Sequence, residues 1–302
     1  MNRPRLLGAV EAGGTKFNCA VGDGPHSLLG RARIETTTPA PTLAAVVEFF
    51  AHAERVHGPI AAFGIGSFGP VELDRAAPGW GRLLTTPKPG WSGADLVAPL
   101  RTRFGRPLAL EVDVGAAALA EARLGAGLGV RSLAYVTVGT GIGAGFIIDD
   151  RPLHGMMHPE AGHIPVRRAP GDADFRGVCP FHGDCLEGLA SGPAVQARWN
   201  HTLDRLGTAQ QDVIAYYLGQ LCANLAMTLS CERVVMGGGV MRTAGLLELI
   251  RGHTRALLNG YLPRPRHHGD LRDFIVTPAL GEDAGLAGAM LLAADAADFP
   301  VA

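Results

Sequence analysis

The chain has 302 residues, 47% apolar and 18% charged, enough to bury one large core or two ordinary ones. A formal net charge of -1 leaves no basic footprint for a nucleic-acid backbone, and no run reaches the roughly 18 apolar residues of a membrane span. Residues Met1 to Arg5 lead into a strand-like run with no signal-peptide core, so a globular, cytoplasmic protein without nucleic-acid or membrane partners is expected.

Leu6 to Val10 reads as a strand, Glu11-Ala-Gly-Gly-Thr15 as a tight glycine turn, and Phe17 to Val21 as the returning strand of a hairpin. Thr42 to His57 carries apolar residues at helical spacing, Phe63 to Ser67 is a short strand, and Ser92 to Phe104 predicts a helix interrupted near Pro99. Pro107 to Val112 is a strand that runs into Asp113 and the alanine-rich helix Gly115 to Leu124. Leu133 to Val138, the turn Gly139-Thr-Gly-Ile-Gly143 and Ala144 to Ile148 repeat the first hairpin, which suggests an internal duplication. A long apolar helix over Gln210 to Ser230 precedes the strand Arg233 to Met236 and the run Gly237-Gly-Gly239. The strand Phe274 to Thr277 and a helix from Asp283 to Ala294 close the chain, which is therefore α/β with mixed sheets.

Glycine turns that end in threonine offer several backbone N–H groups with no Cβ in the way, as a polyphosphate requires. Each turn alone reads equally well as an ordinary tight turn. The run Gly139 to Gly145 breaks the G-x-G-x-x-G spacing, and Gly8 to Thr15 lacks the lysine of a P-loop, so both common nucleotide folds are demoted. The run Gly237-Gly-Gly-Val240 would let an adenine or ribose lie flat on bare backbone, or would simply turn a strand into a helix. Of 27 basic residues only Lys16 and Lys88 are lysine, and Lys16 follows the first glycine turn. A surviving ammonium in an arginine background hints at contact with a phosphate oxygen, with a solvated hairpin position as the alternative.

Asp113, at a strand end, can cap the following helix or accept a hydroxyl proton during phosphoryl transfer. Cys179, His182 and Cys185 sit at zinc-knuckle spacing in a loop with no core to fill, and His163 would complete a tetrahedral set; a redox pair is the competing reading. Cys19, Cys222 and Cys231 lie in apolar runs as buried thiols. Glu160, His163 and Glu187 suit sugar hydroxyls, or Glu160 and Glu187 are solvated loop charges.

Together the segments EAGGTKF, GIGSFGPVELD, TTPKPGW, DVGAAALAE, YVTVGTGIGAGF, PLHGMMHPEAGH, CPFHGDCLEGLASG and MGGGV resemble, in order, the ROK family of sugar kinases, and most closely its zinc-containing bacterial fructokinases. The resemblance implies a two-lobed actin/hexokinase-like fold, a duplicated ribonuclease H-like architecture with a zinc-bound loop. It implies a small lobe over residues 1–114 and a large lobe over 115–302 with the zinc loop at 159–187, the helix from about 283 packing back on the small lobe. ATP with Mg²⁺ would be the cofactor and a hexose, foremost fructose, the acceptor, in a cytoplasmic homodimer.

Residue by residue, Gly13, Gly14 and Thr15 match the first phosphate loop, Thr140, Gly141 and Gly143 the second, and Gly237, Gly238, Gly239 and Val240 the adenosine loop. Asp113 falls on the catalytic aspartate, Glu160 and His163 on the sugar motif, and Glu187 on the glutamate beyond the knuckle. His163 would serve both zinc and sugar. Glu11 stands where an aspartate is usual and suits water-mediated contact with Mg²⁺. Val112 and Gly115 replace the asparagines of N-D-x-N in glucokinase-type members; the amide lost at 112 argues against glucose, and Gly115 is unusual even beside fructokinases. Mannose, glucose and N-acetylmannosamine remain alternative acceptors, and a catalytically silent sugar sensor or a regulator the alternatives of another class; the regulators carry an N-terminal helix-turn-helix that the opening strand replaces here.

Overall fold

Runs of valine, isoleucine and alanine broken by glycine turns build two five-stranded mixed sheets in the computed structural model, which describes residues 5–298. The first sheet comprises β1 (Leu7–Ala12), β2 (Lys16–Gly24), β3 (Ser27–Glu35), β4 (Ala62–Ser67) and β5 (Leu108–Val112) in the order β3-β2-β1-β4-β5. The second comprises β6 (Ser132–Val138), β7 (Ile142–Ile148), β8 (Arg151–Pro152), β9 (Arg233–Gly237) and β10 (Ile275–Val276) in the order β10-β9-β6-β7-β8. Laying β6 to β10 on β1 to β5 gives the same order. The pair directions also repeat: two antiparallel pairs from the opening hairpin onward, then two parallel ones. The duplication visible in the two glycine hairpins therefore runs through both sheets.

The helices are α1 (Pro39–His57), α2 (Ala98–Phe104), α3 (Asp113–Leu124), α4 (Leu186–Ala190), α5 (Gly192–Trp199), α6 (Thr208–Leu229), α7 (Leu246–Leu258) and α8 (Ala284–Asp298). The expected helix over 92–104 is a correction: residues 92–97 are irregular, with Asp95 bridged to Arg82, and α2 starts at Ala98 with Pro99 in its first turn. Proline is at home there because its missing N–H is one the helix cannot use, and Asp95 Oδ1 accepts the N–H of Val97 and of Ala98.

The described residues group into two compact units. The first runs to Ala120 and adds His154–His158 and the chain from Glu282 on; the second holds Glu121–Leu153 and Pro159–Gly281. The expected division at 114/115 thus falls inside α3. The early turns of α3 stay with the first unit because Ala116 packs under Gly66 of β4, where even a methyl group would lie only 2.8 Å away. Glu121 instead accepts the N–H groups of Ala126, Ala279 and Leu280 in the second unit.

In the first unit α8 lays Leu286, Ala289, Met290, Ala293 and Ala296 against Leu7, Ala9, Ala20 and Ala62 on one sheet face. The other face carries a core of Val10, Phe17, Phe50, Phe63, Ile65 and Trp91. Each large side chain so buried contributes about 1.5–3 kcal/mol. In the second unit α6, buried along most of its length, packs with β6, β7 and β9 around Val136, Ile142, Leu218 and Met236. Among the described residues no helix is long and apolar enough to cross a membrane.

Candidate active site

The first glycine turn is closed by the backbone: Gly13 N–H donates to the Lys16 carbonyl at 2.9 Å. Thr36, just beyond β3, clamps it from the side, its N–H on the Thr15 carbonyl at 3.0 Å and its hydroxyl on the Gly13 carbonyl at 2.8 Å. Gly14 and Thr15 are exposed, while Lys16 already belongs to β2, opposite Glu35. Glu11, on β1, accepts from Asn18 Nδ2 at 2.6 Å and abuts Gly285 at the start of α8. Burial pushes its carboxyl above the usual value, against the opposing effect of the Asn18 hydrogen bond and Lys16.

Asp113 opens α3 directly after β5 and is half-buried. Its Oδ1 accepts the N–H of Val114 at 2.8 Å, so it does tie down the helix start. Val112 before it is buried in the apolar core and offers no polar group.

The second glycine turn is tighter than expected: it comprises residues 139–141, and Gly143 lies within β7 opposite Thr137. Gly139 N–H donates to the Gly141 carbonyl, and the N–H of Gly192, at the start of α5, donates to the Gly139 carbonyl, both at 2.8 Å. The N–H of Ile142 goes to Glu187 Oε2 at 2.9 Å. That contact requires a glycine at 141, where a Cβ would lie 2.6 Å from the same oxygen. The third run adjoins this turn: the backbone N of Gly239 lies 4.0 Å from where a Cβ on Gly139 would stand. Gly237 ends β9, Gly238 takes a left-handed φ of 94°, and Val240 begins a short 3₁₀ turn, so the helix expected directly after it starts only at Leu246.

Glu160 precedes a 3₁₀ turn, Ala161–His163, whose Gly162 sits against the Ile142 carbonyl so closely that no side chain fits. Burial and the carboxylate of Glu187 raise the Glu160 carboxyl above its usual value. Glu160 and Glu187 are thus neighbours that feel each other's charge, Glu187 half-buried and Glu160 exposed.

His163 faces two ways. Its Nε2 lies 4.0 Å from Glu187 Oε1, while its Nδ1 is 3.7 Å from Cys179 Sγ and 3.5 Å from Cys185 Sγ. His182 Nδ1 is 3.7 Å from Cys179 Sγ, and the four ligand atoms all lie within 4.8 Å of one another. Zinc bonds of about 2.3 Å to sulfur and about 2.05 Å to nitrogen put those corners of a tetrahedron about 3.6 Å apart, as found. A redox pair has no use for two convergent imidazoles. Burial holds the Cys185 thiol up at about 11, so a metal must displace its proton on binding.

Three of the buried polar side chains that the sequence reading did not single out bear on the surroundings of Asp113 and α3. Glu111, on β5, meets His154 Nε2 at 2.8 Å, and His158 Nε2 receives the N–H of Val71 at 3.3 Å, so both histidines of the segment 154–158 dock within the first unit. Glu121 is the third. The histidine pair in PLHGMMH was a visible signal; the partner of His154, forty-odd residues earlier, was not.

The ROK family model matches residues 7–296. The chain is 45% identical over 298 residues to the fructokinase of Zymomonas mobilis, covering 97% of both chains. It is 41% identical over 297 residues to the fructokinase of Pediococcus pentosaceus, covering 95% of this chain and 97% of the relative. Among solved structures it superposes on the ROK hexokinase of Thermus thermophilus with a TM-score of 0.79 and 29% identity, over 97% of this chain and 99% of that one.

Proposed function

The chain belongs to the ROK family and is an ATP-dependent hexose kinase, and we propose that its acceptor is D-fructose, which it converts to fructose 6-phosphate. The observation that carries the sugar assignment is near full-length identity of 41–45% to two fructokinases. Buried, apolar Val112 supports it, because that position can offer a glucopyranose hydroxyl neither donor nor acceptor.

Asp113 is the general base. Its carboxylate takes the proton of the sugar's primary hydroxyl as the oxygen attacks the γ-phosphorus of ATP, and ADP leaves with the electron pair of the broken P–O bond. N–H groups of Gly13 to Thr15 and of Thr140 to Gly143 neutralise phosphate charge, Lys16 assists from the first turn, and Gly237 to Val240 carry the adenosine. Glu160, His163 and Glu187 bind sugar hydroxyls, with Glu187 at the same time holding the second turn through Ile142.

Mg²⁺ would travel with the nucleotide, Glu11 reaching it through water. His163, Cys179, His182 and Cys185 fit zinc, and a zinc with four protein ligands has no open position, so its task there is to fix His163 and Glu187. The working form is a cytoplasmic homodimer, as the family resemblance implies, and light scattering in solution checks the dimer. The decisive experiment is ATP-dependent turnover across fructose, mannose, glucose and N-acetylmannosamine. A clear preference for fructose is expected; equal or better use of another hexose overturns the assignment.

A further inference from the structure

Glu111 is only 2% exposed, an unusual state for a carboxylate, and it stands two residues ahead of Asp113. Its two oxygens have separate duties. Oε1 accepts the N–H of Val112 at 2.9 Å, and Oε2 meets His154 Nε2 at 2.8 Å. A buried carboxylate stripped of such partners costs several kcal/mol, so His154 is what makes the burial tolerable.

The space for this side chain comes from Gly115. A Cβ there would lie 2.6 Å from Glu111 Oε1, 2.7 Å from its Cγ and 2.8 Å from its Cδ. The backbone itself does not call for glycine, since Gly115 lies within α3 and is not among the left-handed glycines. A glycine inside a helix costs about 1 kcal/mol relative to alanine, so its presence is explained by Glu111 and not by the helix. The glycine at 115 therefore has a physical reason: a glutamate folded over the first turn of α3 demands the missing side chain there.

The consequence falls on Asp113. The N–H of the residue before it is held by Glu111, and the N–H of the residue after it is held by Asp113's own Oδ1 at 2.8 Å. The peptide groups on both sides of the carboxylate are thereby fixed. His154 also anchors the irregular segment 154–158, whose chain continues to Glu160 and His163.

We propose that Glu111, Gly115 and His154 form a positioning unit for Asp113, in which Glu111, seated over Gly115 and tethered by His154, fixes the backbone that aims the base. The proposal rests on the kinase reading with Asp113 as base and adds residues to which that reading gives no part.

Steady-state kinetics with ATP and fructose, alongside thermal unfolding, test it on Glu111→Ala, Glu111→Gln, His154→Ala, Gly115→Ala and the Glu111→Ala/Gly115→Ala double variant. Misaiming a catalytic group by an ångström costs roughly 10²-fold, so Glu111→Ala should lose that much kcat while KM for ATP stays within about twofold. Glu111→Gln, which keeps an acceptor for the Val112 N–H, should recover most of the loss, as a merely space-filling role would not demand. Gly115→Ala should lower kcat on its own yet add nothing to Glu111→Ala, since both act through one contact. Glu111→Ala with kcat within about twofold of the parent, or fully additive losses, overturns the proposal. Should Glu111→Ala fail to fold, His154→Ala decides, because that side chain is 38% exposed and its removal opens no core cavity. Unchanged kcat and sugar KM in that variant then overturn the proposal. A parent enzyme with no turnover on any hexose would sink the kinase reading itself, whereas an active parent with an indifferent Glu111 sinks only the positioning unit.

Discussion

The two glycine turns sit at equivalent places in two sheets of identical order and pair direction, yet they are held by different means. The first is fastened to Thr36 and its own backbone, and Gly14 at its tip has nothing within 4 Å of where a Cβ would stand. The second is fastened to the carboxylate of Glu187, to the first N–H of α5 and, through His163, to the cysteine and histidine cluster. The repeated arrangement holds two glycine turns of one design, and only the second is tied to Glu187 and, beyond it, to the cysteine and histidine cluster. A disturbance at the cluster should therefore travel to the second turn and leave the first alone.

The largest expected effect lies outside both turns and sets the scale. Asp113→Asn removes the base and should lower kcat by about 10³-fold while ATP still binds with its ordinary affinity, since neither turn is touched. Titration with nucleotide beside the turnover assay checks this, and a variant with near-parental turnover would remove Asp113 from the mechanism. Metal removal comes next. Stripping the cluster with a chelator, or replacing Cys185 by serine, should cost roughly 10–100-fold in turnover with fructose and be reversed in the chelated protein by added Zn²⁺. Metal analysis of the purified protein must show about one zinc per chain; a protein without zinc and fully active would reduce the cluster to a packing feature.

Much of this comparison was legible in the sequence, because a glycine hairpin and a cysteine and histidine knuckle are local patterns. The repeated hairpins, the position of Asp113 between strand and helix, and the meeting of His163 with Cys179, His182 and Cys185 all follow from short spacings plus one long-range pairing. Contacts that depend on side-chain volume did not show. Gly141 and Gly115 read as turn and helix residues until Glu187 and Glu111 are seen to occupy the missing volume. The helix expected across Pro99 went astray because proline breaks a helix in its interior and starts one at its end, and Asp95 decides between the two. The compact units part inside α3, after Ala120, for a similar reason: α3 reads as one helix, while its ends pack on different partners.

Alanine at single glycines tests the asymmetry of the turns more gently. Gly141→Ala drives a methyl group into Glu187 and breaks a charge-assisted hydrogen bond to Ile142, an effect of about 1.5–3 kcal/mol and so roughly tenfold or more in KM for ATP. Gly14→Ala meets no protein atom within 4 Å and no left-handed backbone, so in the nucleotide-free protein it should leave the melting temperature nearly unchanged, whereas Gly141→Ala should lower it. Equal effects at the two positions would break the claim that the turns are differently buttressed.

The smallest expected effect is in stability, and it separates the first unit from the second. The hydrogen bond to Glu111 raises the His154 imidazole above its usual 6.5, outweighing the opposing effect of burial. Below about pH 6.5 the imidazole is protonated in the folded and the unfolded chain alike, so the full contribution of the pair is present. As the pH rises past that point the unfolded chain gives up its proton first, the native protein holds its own until the raised value is passed, and the contribution fades across that interval. Because His154 is partly exposed the pair is screened by solvent, and the shift in melting temperature should be modest and smaller in high salt. Melting curves of the parent and of Glu111→Gln between about pH 5.5 and 8.5 should diverge at the acidic end and converge at the alkaline end. Parallel curves over that range would mean that His154 and Glu111 are not coupled.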